Sequence, residues 1–314
     1  MARPLILVTT ALDGRHRRAL EVEFDLTFDP TRRDGVRGLI IDGVFRADAV
    51  WVDSMPDLGI VACIGTGYDL IDLEACRRRG VSVTNTAGAN AGAVADLALG
   101  LILSVTRGIG EGERLLRAGQ WRGDHPQRFF GAPGLTGRRV GVFGMGAIGQ
   151  QIARRLSGFE VGIAYGGPRP KPELGWPFFA DVSDLAAWAD ILVLAHRADE
   201  TNRRIVDARV LTALGPSGFL INVSRGSAVD EEALIKALES RTIAGAALDV
   251  FDDEPAVRPE LLAAPGTVLT PHIGGGSSRS FDLMFEAVAD NLRAFFAGRP
   301  LLHPVLDTRA HPEA

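Results

Sequence analysis

At 314 residues, with 46% hydrophobic and 23% charged side chains, the chain has the composition of an ordinary globular protein and the length for two cores rather than one. A formal charge of −5 gives no global attraction to nucleic acid or to anionic membranes, so neither is expected as a partner, and Arg77-Arg78-Arg79 reads as a solvated helix end. Two cysteines, Cys63 and Cys76, provide no disulfide framework, and each sits in an apolar or helical context that suggests a buried, inert thiol.

The N-terminal apolar run Leu5-Ile-Leu-Val8 is too short for a signal peptide, and it reads as a first strand over 5–9. Further strands are expected at 38–41, 59–64 and 81–84, followed by a helix-like stretch over 91–108. Its apolar segment, 93–105, contains Asp96 and Gly100 and is too short to span a bilayer, which makes a cytoplasmic protein the expectation. Strands follow at 139–143, 161–165, 191–195, 218–223, 242–248 and 268–270, then a long helix over 278–296 and a tail over 301–305. Apolar runs without alternation suit strands covered on both faces, hence an α/β fold with parallel sheets and crossover helices. The 37 glycines exceed the roughly 22 that average usage would give, and many fall mid-chain, as tight strand-to-helix turns require.

The strongest motif lies almost halfway along. Val140-Gly-Val-Phe-Gly144-Met-Gly146-Ala-Ile-Gly149 is a strand running into GxGxxG and then a helix. Gly144 permits the tight turn, Gly146 lets backbone approach a pyrophosphate, and Gly149 lets helix and strand pack closely. The helix N-terminus then offers N–H groups to phosphates. A dinucleotide-binding domain over 100–287 is therefore expected, with residues 1–99, completed by 288–314, forming a substrate domain. A cleft between two such lobes is a favoured place for a small-molecule site.

Three later segments each carry an ionisable residue just after a strand: Leu220-Ile-Asn-Val-Ser-Arg225, Ala247-Leu-Asp249-Val-Phe-Asp-Asp-Glu254-Pro255 and Leu269-Thr-Pro-His272. Ligands of open α/β sheets bind beyond the carboxyl ends of strands, so the three converge on one crevice. Reduction of a 2-keto acid needs a cation for the carboxylate, a proton donor for the carbonyl oxygen and a carboxylate to orient that donor. Arg225, His272 and Glu254 fill those roles. Singly, an arginine after a strand is usually a surface cation, Pro-His a loop and Glu-Pro a turn; behind the glycine fingerprint the combination outweighs those readings.

These motifs resemble the D-isomer-specific 2-hydroxyacid dehydrogenase family, in particular its glyoxylate/hydroxypyruvate and hydroxyphenylpyruvate reductase branch. The resemblance runs along almost the whole chain, through Gly65-Thr-Gly67-Tyr-Asp69, Val83-Thr-Asn-Thr86, Val94-Ala-Asp96, Leu135-Thr-Gly137, the fingerprint, Asn222-Val-Ser-Arg225-Gly, Ala247-Leu-Asp249, Asp253-Glu254-Pro255 and Thr270-Pro-His272-Ile-Gly. It implies a flavodoxin-like substrate domain and a Rossmann domain. It further implies substrate carboxylate contacts at Thr66 and Gly67, pyrophosphate contacts at Gly146, Ala147, Ile148 and Gly149, and a nicotinamide contact at Asp249. Val223 and Gly274 are implied to border the cofactor. No metal is implied. A homodimer is implied too, with an arm over 107–135 packing on its partner; Trp121, Phe129 and Phe130 in that arm serve a local cap equally well. Many members place serine or alanine where Gly275 follows Gly274, and a small residue and proline where His196-Arg197 stands. The latter pair reads as surface or cofactor edge rather than catalytic.

NAD-type Rossmann domains place an acid after the second strand, where it binds the ribose 2′-hydroxyl and repels a 2′-phosphate. Here that strand ends in Gly166-Gly-Pro-Arg169-Pro-Lys171, with no acid before Glu173. NADP(H) is the expected cofactor, held by Arg169, with NAD(H) possible; an incidental loop arginine would leave an enzyme using both. Two other functions compete with this reading: oxidation of phosphite or formate, the latter needing no general acid on a carbonyl, and a non-catalytic nucleotide-sensing binding protein. The intact set of three ionisable residues disfavours both.

Overall fold

The computed structural model describes residues 2–121 and 132–309, so Phe129 and Phe130 of the expected arm lie outside the described residues. Two compact units divide the chain: residues 1–90 with 275–314, and residues 91–274.

The first unit opens with β1 (Leu5–Val8), α1 (Gly14–Glu21), β2 (Asp25–Thr27), β3 (Val36–Asp42), α2 (Ala49–Asp53), β4 (Ile60–Ile64), α3 (Leu73–Arg78) and β5 (Ser82–Thr84). The second contains α4 (Ala91–Arg107), α5 (Ile109–Arg117), β6 (Arg139–Phe143), α6 (Ala147–Leu156), β7 (Gly162–Gly166), β8 (Phe178–Phe179), α7 (Val182–Trp188), β9 (Ile191–Leu194), α8 (Ala208–Leu214), β10 (Phe219–Asn222), α9 (Glu231–Glu239), β11 (Gly245–Leu248), α10 (Pro259–Ala263) and β12 (Thr267–Leu269). The chain then adds α11 (Ser278–Phe296) and β13 (Pro304–Leu306) to the first unit. The sequence-based boundaries at 99/100 and 287/288 fall inside α4 and α11, because a continuous helix carries no break in composition at a domain edge.

The first sheet has the order β13-β5-β4-β3-β1-β2, parallel except for β13, which pairs antiparallel with β5. The second has the order β12-β11-β10-β9-β6-β7-β8 and is parallel throughout. The fold is α/β with two sheets of parallel strands. Two edge strands, β2 and β8, escaped the sequence reading because three and two residues are too few to show a period.

Central strands are buried on both faces, as their unbroken apolar runs require. All five residues of β4 are buried, with Val61 and Cys63 in one core and Ile60, Ala62 and Ile64 in another against Met284, Phe285, Val288 and Leu292 of α11. Each fully buried isoleucine or leucine contributes about 1.5–3 kcal/mol. Both cysteines are buried. In the second sheet α4 and α6 cover one face, and α7, α8 and α9 the other. Among the described residues no single helix is long and apolar enough to cross a membrane.

Helix starts are mostly fixed by acids. Asp13, Asp48, Asp72, Asp181, Asp207 and Asp230 each accept a backbone N–H in the first turn of the helix they precede, satisfying a donor that the helix cannot. Helix α6 differs: Gly146 precedes it and supplies no side chain.

Candidate active site

The second unit carries the glycine turn, and its three glycines have separate duties. Gly144 has φ 102°, and a Cβ there would strike the backbone of Ala195 and His196. A Cβ on Gly149 would meet the Gly144 carbonyl. Gly146 faces open space, with nothing within 4 Å of a Cβ position. Two glycines therefore let β6, β9 and α6 approach, while the third leaves a hollow. The N–H groups of Ala147, Ile148 and Gly149 border that hollow ahead of the first full helical bond, from Gln150 N–H to the Gly146 carbonyl at 3.0 Å. Uncapped donors at a helix N-terminus, opening on unfilled space, fit a dinucleotide pyrophosphate.

The loop after β7 is tied to this turn. Gly144 N–H donates to the Gly166 carbonyl at 2.9 Å. Further on, Lys171 N–H donates to the hydroxyl of fully buried Tyr165 at 2.6 Å, and its ammonium donates to the Met145 carbonyl at 2.9 Å. Arg169, between these anchors, is exposed and meets no carboxylate among the described residues. His196 turns inward, its ring edge-on to Phe143 at 5.1 Å, with both ring nitrogens buried and without hydrogen-bond partners among the described residues. Burial pushes its pKa down to about 4, so the ring is neutral. Of the expected surface pair only Arg197 is exposed; the His196 ring packs under the glycine turn.

Arg225 follows β10 on a loop shaped by Asn222. The buried Asn222 amide donates to the Arg225 carbonyl at 2.8 Å and accepts from Ser224 N–H at 3.0 Å. The Arg225 guanidinium donates to the Ser224 carbonyl at 2.8 Å. Gly226 lies so close to the Phe251 backbone that no side chain would fit, which brings the Arg225 loop against the loop after β11.

Glu254 sits on that second loop, before a cis proline, Pro255. One carboxylate oxygen accepts from Phe251 N–H at 2.9 Å and the other lies 2.6 Å from His272 Nδ1. Burial by itself would raise the Glu254 pKa. Hydrogen bonds from His272 and the Phe251 N–H, with the charges of His272 and Arg225, outweigh it and hold the group below its usual value.

His272 has the left-handed φ of 52°. Its conformation is imposed by Asp249, which is 2% exposed. One Asp249 oxygen accepts from the Thr270 hydroxyl at 2.6 Å and from Ile273 N–H at 2.9 Å; the other accepts from Gly274 N–H at 2.8 Å. The His272 N–H itself donates to the Asp249 carbonyl at 2.8 Å. Val223, buried beside Asn222, donates to the Leu194 carbonyl at 3.2 Å, and a Cβ on Gly274 would come within 2.9 Å of the Asp249 carboxylate.

Arg225, Glu254 and His272 are thus gathered by three successive strand ends of one sheet. Thr66 and Gly67 belong to the first unit. There the Thr66 hydroxyl donates to Asn90 at 2.9 Å, Asn85 donates to the Thr66 carbonyl at 2.8 Å, and the N–H groups of Thr66 and Gly67 have no acceptor among the described residues. Sequence reasoning gave no loop-holding role to Asn222, Tyr165, Lys171 or Asp249, since their partners are backbone groups that carry no sequence signature.

Residues 99–274 match the family of D-isomer specific 2-hydroxyacid dehydrogenases, NAD binding domain. A glyoxylate/hydroxypyruvate reductase A of Arabidopsis thaliana is 41% identical over 276 residues, covering 88% of this chain and 87% of its own length. A hydroxyphenylpyruvate reductase of Plectranthus scutellarioides is 38% identical over 302 residues, covering 91% and 95%. Among solved structures, an NADPH-dependent glyoxylate/hydroxypyruvate reductase from Sinorhizobium meliloti in complex with NADP and malonate superposes with a TM-score of 0.88 at 39% identity, covering 98% of each chain.

Proposed function

The chain belongs to the D-isomer-specific 2-hydroxyacid dehydrogenase family, and on that premise we propose that it is an NADPH-preferring reductase of small 2-keto acids, glyoxylate and hydroxypyruvate foremost. The reaction class, NAD(P)-dependent interconversion of a 2-keto and a 2-hydroxy acid, follows from membership. The observation that carries the assignment of roles is the 2.6 Å contact between His272 Nδ1 and Glu254, whose loop abuts that of Arg225.

Arg225 is assigned the substrate carboxylate, which its planar fork can hold with two parallel hydrogen bonds. With Nδ1 committed to Glu254, His272 presents Nε2, and the proton held there passes to the carbonyl oxygen as it becomes a hydroxyl. Glu254 fixes the tautomer and the orientation of the ring. The nicotinamide, when bound, supplies the hydride. Gly144, Gly146, Ala147, Ile148 and Gly149 are assigned the pyrophosphate, and Val223 and Gly274 the nicotinamide side. A carboxylate offers about four acceptor sites, so Asp249, with three in use, retains one for the carboxamide. Thr66 and Gly67 are assigned further carboxylate contacts through N–H groups that have no acceptor among the described residues, and Arg169 one contact with the cofactor's 2′-phosphate.

A homodimer in the cytoplasm is part of the same proposal. Its support is α5, which buries no residue and exposes Ile109 and Leu116, with exposed Trp121 following it. A non-catalytic nucleotide sensor is disfavoured, since such a protein has no use for a paired Glu254 and His272.

Steady-state assays of NADPH and NADH oxidation with glyoxylate, hydroxypyruvate and phenylpyruvate test the proposal. Turnover with NADPH favoured is expected. Cofactor binding without turnover of any keto acid would overturn the enzymatic reading, and a preference for NADH would overturn the cofactor reading.

A further inference from the structure

We propose that Lys171, rather than Arg169, is the principal ligand of the adenosine 2′-phosphate and so the residue that sets cofactor preference; this rests on the NADPH reading above. In Rossmann domains the end of the second strand borders the ribose, where an acid would read the 2′-hydroxyl. In this chain β7 ends there at Gly166, whose carbonyl accepts the N–H of the first fingerprint glycine, Gly144, at 2.9 Å. The following loop leaves from that point and returns to it. Its return is fixed twice by one residue: the Lys171 N–H on the hydroxyl of buried Tyr165 at 2.6 Å, and the Lys171 ammonium on the carbonyl of Met145, between the first two fingerprint glycines, at 2.9 Å.

The consequence is a placed charge. An ammonium has three donors, and the Met145 carbonyl takes one. No carboxylate neutralises Lys171 among the described residues, and its side chain is half-buried beside the hollow at Gly146. A cation held against the glycine turn loses little freedom on meeting a phosphate. Arg169 stands on the exposed Pro168-Arg169-Pro170 tip with nothing to hold its side chain among the described residues, so its ordering must be paid on binding. The distinction is between an anchored cation and a loose one on the same loop.

Calorimetric titration with 2′,5′-ADP and 5′-AMP isolates the 2′-phosphate from the pyrophosphate and from catalysis, and KM for NADPH and NADH follows in parallel. Lys171→Met is expected to weaken 2′,5′-ADP by about 10–100-fold, the worth of a charge-assisted hydrogen bond. Binding of 5′-AMP should fall less than that of 2′,5′-ADP, KM for NADPH should rise more than KM for NADH, and Lys171→Arg should recover part of the loss. Arg169→Ala should cost less than Lys171→Met. Equal losses for 2′,5′-ADP and 5′-AMP would overturn the inference, making Lys171 a support of the turn. So would a wild-type preference for 2′,5′-ADP that survives Lys171→Met, which leaves the NADPH reading standing. A wild type that favours NADH refutes that reading by itself, before any variant is made.

Discussion

His272 Nδ1 and Glu254 Oε2 lie 2.6 Å apart, although 18 residues separate them in the chain and both side chains stay partly open to solvent. The pair makes Glu254 the group that orients the ring. In Glu254→Gln that orienting carboxylate is lost, and kcat for ketone reduction should fall by about 10-fold or more while dinucleotide affinity stays unchanged. Stability should respond at low pH. The folded-state pKa of Glu254 lies below its ordinary 4.5, so its contribution is present above that value and disappears as pH falls through the depressed one. Urea unfolding of wild type and Glu254→Gln should therefore differ near neutrality and converge on acidification. An unchanged kcat in Glu254→Gln would separate Glu254 from proton transfer.

His272→Ala removes the proposed proton donor. Turnover of glyoxylate should fall by about 10²–10⁴-fold. Dinucleotide affinity, measured by calorimetry, should change little because the glycine turn is untouched. A variant that retains near-full turnover would exclude His272 from the chemistry.

Arg225→Lys keeps the charge and loses the fork. We expect kcat/KM to drop for every 2-keto acid, since all share the carboxylate. Comparing glyoxylate, hydroxypyruvate and phenylpyruvate checks this. A loss confined to one of them would mean that Arg225 reads the side chain.

Asp249→Asn places an amide NH₂ where a carboxylate oxygen accepts N–H and O–H donors, so at least one buried donor faces another. Unfolding free energy should decrease by roughly 2–4 kcal/mol, and activity should fall with it as the His272 loop relaxes. Wild-type stability in this variant would show that the loop holds itself.

Gly144→Ala and Gly146→Ala should behave oppositely. The first adds a Cβ into the Ala195–His196 backbone at a φ that disfavours side chains, and should lower the melting temperature sharply. The second adds a methyl to open space at φ −78°, and should leave the melting temperature within about 2 °C while weakening dinucleotide binding. Thermal melts with and without NADPH separate the two; unimpaired binding by Gly146→Ala would remove the hollow from the cofactor site.

What was legible in the sequence was whatever acts locally. Central strands such as β4 and β9 betray themselves because burial on both faces demands an unbroken apolar run. The glycine turn is equally local, its strand, turn and helix being consecutive. The strands β2 and β8 fall below any detectable period. The contacts that hold the site belong to a different category. Lys171 reaches Met145 across 26 residues, and Asp249 reaches Gly274 across 25, each ending on a main-chain group that every residue possesses. Residue types alone could nominate Arg225, Glu254 and His272 by chemistry. They could not reveal which side chains fold the loops beneath them, nor that the ring of His196 turns inward.

The second unit is one uninterrupted stretch of chain, whereas the first waits for α11 and β13. As the polypeptide leaves the ribosome, residues 91–274 therefore have all their strands before the first sheet is covered. Until α11 emerges, Ile6, Ile40, Ile60 and Ala62 lack the side chains of Met284, Phe285, Val288 and Leu292 that pack on them, and β5 lacks its antiparallel neighbour. During that interval the nascent protein exposes an apolar sheet face and an open edge, the two features that most invite capture by chaperones or by other chains. The part of the protein made first is the last to finish folding.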